Sequence, residues 1–144
     1  NDNKIIYTLH GDGELEEGQI WEAAMYAGAK GVDNLIATVD YNRQQIDGTT
    51  DEVLSLGDLK KKWEAFDWQV VEVENGNDMQ QMLDAFATAK SLTGKGKPVV
   101  ILMKTEMGYG VDFMQGTNKY HGVAPSNAEL ERALAQLKET LGDY

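Results

Sequence analysis

An α/β fold, a parallel sheet with helices on both of its faces, is what this chain predicts, on three observations. Val99-Val100-Ile101-Leu102 is apolar without alternation, as in a parallel strand covered from both sides. Two earlier apolar runs, Ile5-Ile6-Tyr7-Thr8-Leu9 and Leu35-Ile36-Ala37-Thr38-Val39, lie thirty residues apart. That separation fits one strand, one crossover helix and the next parallel strand. Further along, strand-like and helix-like segments keep alternating, which is the pattern of a parallel α/β sheet.

Taken in order, residues 4–10 read as a buried strand through Ile5, Ile6, Tyr7 and Leu9. Residues 16–30 read as a helix. Ile20, Ala23, Ala24 and Ala27 recur at helical spacing, the alanines permit close packing on a sheet, and Gly31 is its stop. Residues 34–41 are the second strand, and Gln45-Ile46-Asp47-Gly48 is a loop with an Asp-Gly turn signal. A helix over 56–66 puts Leu59, Trp63 and Phe66 on one face, and residues 68–74 alternate as a strand. Asp78 caps a helix over 79–91 whose Met82, Leu83 and Phe86 face inward. Residues 97–104 form the fourth strand. The irregular stretch 105–125 holds glycines 108, 110, 116 and 122, and segments of that length in compact domains are usually functional or disordered. Ser126-Asn127-Ala128-Glu129 is a capping box opening a last helix, with Leu130, Leu134, Leu137 and Leu141 along one stripe.

Composition narrows the function. The 144 residues suffice for one domain with a sizeable core, and 42% hydrophobic with 26% charged is ordinary for a globular protein. No apolar run approaches the roughly 20 residues that span a bilayer. Thirteen basic residues against 24 acidic give a net charge of −11, which argues against a nucleic-acid or anionic-membrane partner. An anionic ligand would need a metal ion or backbone dipoles to offset that field. Without cysteine there is neither a disulfide nor a thiolate metal site. The chain opens at Asn1-Asp2-Asn3 with no initiator Met, directly before a strand, and reads as a fragment or processed piece.

The chemistry concentrates between residues 11 and 44. Gly11-Asp12-Gly13 follows the first strand, and Asp40-Tyr41-Asn42-Arg43-Gln44 ends the second. The predicted fold sets Asp12 and Asn42 side by side at the carboxyl ends of neighbouring strands, where open α/β sheets bind ligands. Two hard oxygen ligands beside a helix N-terminus suit a magnesium ion carrying a diphosphate. Gly11 and Gly13 can take backbone angles closed to other residues and admit a ligand close to the main chain. Gly-Asp-Gly alone is a weak signal and also fits a plain strand-to-helix turn. It is not the dinucleotide fingerprint, because Glu16 stands where the third glycine belongs. Asp40, Asn42, Gln44 and Asp51 imitate part of a calcium loop, but Gln45 occupies its turn glycine. His10 reads as a strand-end residue and His121 as an exposed loop residue, too far apart in sequence to support a zinc site. Trp21, Trp63 and Trp68 read as packing, and no serine sits in a recognisable nucleophile turn.

At Gly11-Asp12-Gly13-Glu14-Leu15-Glu16-Glu17-Gly18-Gln19-Ile20-Trp21-Glu22-Ala23 the sequence resembles transketolases, in the thiamine-diphosphate signature that runs from Gly-Asp-Gly to an asparagine about thirty residues on. The likeness continues through Asp33-Asn34-Leu35-Ile36, Asp40-Tyr41-Asn42, Gln45-Ile46-Asp47-Gly48 and Ser55-Leu56-Gly57-Asp58-Leu59. It resumes at Gly96-Lys97-Pro98 and Tyr120-His121-Gly122-Val123-Ala124-Pro125. It covers nearly the whole chain and is nearest the N-terminal subunit of transketolases carried as two chains.

The resemblance implies that residues 1–144 are part of a diphosphate-binding domain, incomplete at the N-terminus, of a cytoplasmic enzyme moving a two-carbon ketol unit between sugar phosphates. It implies thiamine diphosphate and magnesium as cofactors, with calcium able to substitute. Asp12 and Asn42 would give the metal side-chain oxygens and Gln44 its backbone carbonyl. Gly11, Gly13 and Glu14 would lie against the diphosphate. Glu17 and Glu22 match a carboxylate network joining two active sites across a dimer, and Glu17 would thereby act in catalysis and cofactor binding. His121 matches a histidine reaching the diphosphate and the substrate, able to donate a hydrogen bond or shuttle a proton. The sequence departs from the family where Arg43 replaces a small residue, often glycine, and where Glu106-Met107-Gly108-Tyr109-Gly110 lacks a lysine between glycines.

The family's remaining N-terminal segment and its pyrimidine-binding section, a separate chain in the two-chain forms, are absent from this sequence. Turnover by this chain alone is therefore not expected, and an exposed apolar sheet edge, with homo- or hetero-oligomeric association, is. The nearest alternatives are the α subunit of a 2-oxo-acid dehydrogenase or a deoxyxylulose phosphate synthase, against which the Asp40-Tyr41-Asn42 and Gln45-Ile46-Asp47-Gly48 strings weigh. A truncated, non-catalytic assembly module is the alternative of a different class.

Overall fold

The structure is a computed structural model and describes residues 4–138. Strand β1 (Ile6–Gly11) leads through a 3-10 turn (Gly13–Glu16) into helix α1 (Gly18–Lys30) and strand β2 (Leu35–Tyr41). A hairpin of β3 (Gln44–Gln45) and β4 (Gly48–Thr49) follows, then helices α2 (Thr50–Leu54) and α3 (Leu59–Ala65). Strand β5 (Gln69–Val73), helix α4 (Met79–Leu92), strand β6 (Val99–Lys104) and helix α5 (Asn127–Leu134) complete the order. The main sheet runs β1-β2-β6-β5 with every neighbouring pair parallel. The fold class expected from the pattern is therefore the one observed.

Strand alternation divides the core into two layers. Ala37, Val39, Val100 and Leu102 face one side, where they meet Ala24 and Ala27 of α1 and Leu59 and Trp63 of α3. Ile36, Val99, Ile101 and Met103 face the other, against Ala85 and Ala89 of α4. Burying each of the Val, Leu, Ile and Met side chains contributes roughly 1.5–3 kcal/mol, so central β6, buried from Val99 to Met103, anchors the domain. An aromatic cluster closes the α1–α3 side. Trp63 packs on Trp68 at 4.7 Å and on Trp21 at 5.3 Å between ring centroids. The tryptophans pack, as their sequence context indicates.

Several elements differ from expectation for identifiable reasons. Strand β1 is not buried: it is the sheet edge, and Ile6, Tyr7 and Leu9 are 51%, 47% and 70% exposed. This is the exposed apolar edge anticipated for an incomplete sheet. The first helix does not begin at Glu16. Glu17 is extended, and the break frees the Leu15 carbonyl to accept from Trp21 Nε1 at 2.6 Å. Asp58 caps α3, so the helix expected over 56–66 starts later, and the Thr49/Glu52 capping box founds a separate α2. In α4 the inward face is Ala85 and Ala89 with Met82 and Phe86, while Leu83 turns outward, 56% exposed. In α5, Ala133 faces in, while Leu130 and Leu134, and Leu137 just past the helix, are exposed; Leu141 lies outside the described residues. Among the described residues no helix is long and apolar enough to cross a membrane.

Candidate functional site

Parallel register decides where the polar loops meet. Gly11 pairs with Asp40 and Tyr41 with Lys104, so the residues after β1, β2 and β6 emerge at one end of the sheet. There a cleft of about 790 Å³ opens, walled by Gly11 to Glu14, Asn42, Gln44 to Ile46, the loop after β6, and Tyr120 with His121.

Asp12 is 1% exposed at the floor of this cleft. One carboxylate oxygen accepts the Gly13 N–H at 2.8 Å and the other accepts the Arg43 N–H. Asn42 Oδ1 accepts the Gln44 N–H at 2.8 Å, and its Nδ2 donates to Asp40 at 3.3 Å. Consecutive N–H groups of Arg43 and Gln44 thus fasten the two oxygen-bearing side chains to one loop. Each acceptor oxygen keeps a lone pair beyond the one engaged. Burial pushes the Asp12 carboxyl above its ordinary value and the Asp40 charge adds to that, while the Arg43 and Gly13 N–H groups act against it. A bound cation would favour the carboxylate and reverse the balance.

The donor set fits a hard cation. Asp12, Asn42 and the Gln44 carbonyl are oxygen donors of the kind magnesium takes, with space above them for phosphate oxygens and water. The set has one carboxylate. Among the described residues no group of three or more His, Cys, Asp or Glu is placed to hold a metal. Gly11 borders open space: a Cβ there would meet no atom within 4 Å. Gly13 acts differently, since its Cβ would come within 3.0 Å of Gln45 Cβ. Neither glycine has a positive φ, so neither is required for a special backbone angle. The left-handed position is Arg43, at φ 62°. A side chain there costs about 1–3 kcal/mol, which accounts physically for a small residue in the family pattern. The Arg43 guanidinium recovers part of this by lying 5.5 Å over the Tyr41 ring.

The other expected residues divide. Glu14 lines the cleft and its carboxylate accepts the Gly11 N–H at 3.2 Å. His121 lines it as well, exposed as its loop context indicates, with its N–H held by the Asn118 carbonyl at 2.9 Å. Glu17 and Glu22 do not line it; both are exposed on α1 or its N-cap. The sequence reading gave several wall residues no role at this site. Asp40 accepts the Thr105 hydroxyl as well as the Asn42 amide, and Gln45 donates to Glu16 at 2.7 Å. Their signal was position: Asp40 and Thr105 stand at the carboxyl ends of parallel strands, where such sheets build sites.

Residues 2–143 match the family model described as transketolase, thiamine diphosphate binding domain. The chain is 42% identical over 134 residues to a 6-deoxy-6-sulfo-D-fructose transketolase subunit of Clostridium sp. (strain MSTE9), covering 93% of this chain and 48% of that protein. It is equally 42% identical over 134 residues to an apulose-4-phosphate transketolase subunit of Actinobacillus succinogenes, covering 93% and 47%. The chain thus spans about half the length of these curated relatives. Among solved structures, a transketolase from Leishmania mexicana superposes with a TM-score of 0.84 at 34% identity, over 91% of this chain and 19% of that one. A Campylobacter jejuni transketolase gives 0.83 at 32% identity, over 92% and 20%. With the fold, the cleft and the signature in agreement, the chain belongs to the transketolase family, in its thiamine-diphosphate-binding domain.

Proposed function

We propose that this chain is the magnesium- and diphosphate-holding part of a transketolase that transfers a two-carbon ketol unit between sugar phosphates. The observation that carries the reading is the pairing of Asp12 and Asn42 across the ends of β1 and β2, joined through the Arg43 and Gln44 N–H groups. When bound, thiamine diphosphate supplies the carbanion chemistry of ketol transfer. The chain's own residues bind and orient. Asp12, Asn42 and the Gln44 carbonyl would hold the magnesium ion, and backbone groups from Gly11 to Glu14 would bind the diphosphate. His121, at the mouth, donates a hydrogen bond or moves a proton at the substrate end. Glu17 and Glu22 belong to a carboxylate relay reaching a second protomer.

Sugar phosphates are the substrate class, in the cytoplasm, and the working assembly includes a pyrimidine-binding chain or section. The relatives named as transketolase subunits support a two-chain arrangement. Calorimetric titration of thiamine diphosphate into the chain, with and without magnesium and beside Asp12→Ala, tests the reading. Heat that requires magnesium and disappears in the variant is expected. Binding indifferent to both magnesium and Asp12 would overturn it. Added alone to sugar phosphates and cofactor, the chain is expected to show no turnover.

A further inference from the structure

Helix α5 contributes nothing to the cleft wall, yet its polar side chains reach the loop that does. Arg132 Nη2 donates to both Asp112 oxygens at 2.9 and 2.8 Å, and Gln136, just past the helix, accepts the Asp112 N–H at 2.8 Å. The Arg132 guanidinium lies 4.7 Å over the Phe113 ring, which meets the Tyr120 ring edge-on at 5.6 Å. The Tyr120 hydroxyl then donates to Glu129 Oε1 at 2.7 Å, with Lys119 Nζ 3.0 Å from that hydroxyl and 3.3 Å from the carboxylate. Glu129 is itself immobilised, its other oxygen accepting the Ser126 N–H and hydroxyl at 2.8 Å in the capping box. On its far side the same loop is tied down by Asn118, which donates to the Ile46 carbonyl at 3.1 Å.

We infer that α5 is a clasp on the cleft loop, and that Glu129 and Tyr120 are positioning residues that hold His121 over the cleft. A loop of this length without secondary structure gains order only from such contacts. The anchor falls at the residue preceding His121, so the hydroxyl-to-carboxylate bond sets where the imidazole stands. Of the bonds to Tyr120, the one to Glu129 is the shortest, and it joins a neutral donor to a charged acceptor, among the stronger kinds. The consequence for thiamine diphosphate rests on the proposed function; the clasp itself does not.

Tyr120→Phe removes one oxygen and leaves the α5 cap intact. In the ligand-free chain, amide exchange at His121 is expected to rise about tenfold in Tyr120→Phe, the rate equivalent of roughly 1.4 kcal/mol, with β6 amides unchanged. Glu129→Gln, which keeps the shape but discharges the acceptor, is expected to raise it less. Unchanged exchange at His121 in both variants would overturn the clasp. A second readout separates positioning from mere support. Thiamine diphosphate binding with magnesium is measured in a double-mutant cycle of Tyr120→Phe and His121→Gln. The two losses are expected not to add, the double variant binding no worse than His121→Gln alone. Fully additive losses would overturn the positioning role. If the parent binds no thiamine diphosphate, the functional proposal fails, and the exchange result alone decides the clasp.

Discussion

Gly28→Ala should destabilise this domain by several kcal/mol, although alanine is the better helix former. Gly28 lies on the inner face of α1, opposite the turn that ends α3. A Cβ built there would sit 1.8 Å from the Phe66 carbonyl oxygen and 3.0 Å from its carbon. Carbon and oxygen atoms in contact settle at about 3.3 Å or beyond, so the turn must retreat from α1 by about 1.5 Å. The obstacle is backbone and cannot rotate aside. The turn is also committed, because Asp67 holds a left-handed φ of 65° and Trp68 follows at once. Trp68 is buried, and its Nε1 donates to the Ala24 carbonyl one turn earlier on α1, at 2.9 Å. Retreat breaks that bond and orphans a buried indole N–H. Overpacking costs about 1–3 kcal/mol and the orphaned donor about 1–3 kcal/mol, while the helix propensity gained is about 1 kcal/mol. The net loss is therefore roughly 1–5 kcal/mol, against the 5–15 kcal/mol typical of a domain. Urea unfolding followed by tryptophan fluorescence reads it directly, as a lower midpoint with an unchanged slope. Stability equal to or above the parent's would refute the argument, since it would mean α1 and the α3 turn are not locked by contact.

Three further outcomes are expected. Trp63→Phe should cost less than Trp68→Phe in the same assay, because Trp63 Nε1 is buried without a hydrogen-bond partner and its removal relieves about 1–3 kcal/mol; the reverse order would contradict it. Leu9→Lys, on the exposed β1 edge, should reduce self-association of the free chain in sedimentation velocity, and a parent that is strictly monomeric at high concentration would count against the edge as an adhesive surface. The Ser126 N–H and then the Tyr120 hydroxyl hold the Glu129 carboxyl down to about 2. Because its folded value lies below its unfolded one, this group's contribution is present above the ordinary carboxylate range and lost as pH falls through about 2. Amide protection of the cleft loop should accordingly persist from neutral pH to about 4, and its collapse well above that would refute the assignment.

Much of the molecule was legible because its signals are local. Apolar runs without alternation name strands covered on both faces, and β2 and β6 obey. Capping residues name helix starts, and Asp78 and Ser126 both accept the N–H bonds they advertise. Periodicity failed where it left neighbouring positions equivalent. In α4 the face through Ala85 and Ala89 lies about 140° around the helix from Leu83, and hydrophobicity alone favoured the larger residue. In β1 the apolar run was read as covered, but burial depends on what lies beyond the edge, and no residue of the strand encodes that.

By itself, the sequence determined the alternation of strands and helices, the two polar loops at Asp12 and Asn42, and the family that carries them. These are properties of short segments and survive without knowledge of the whole. Tertiary structure alone decided which oxygens share a lone pair with which N–H, that Arg43 takes the left-handed turn, and that α5 grips the loop bearing His121. Each joins residues far apart in the chain, such as Asp12 with Arg43 and Asp40 with Thr105. Parallel register brings them to one end of the sheet, and register is fixed by how the strands pack together, not by any one of them.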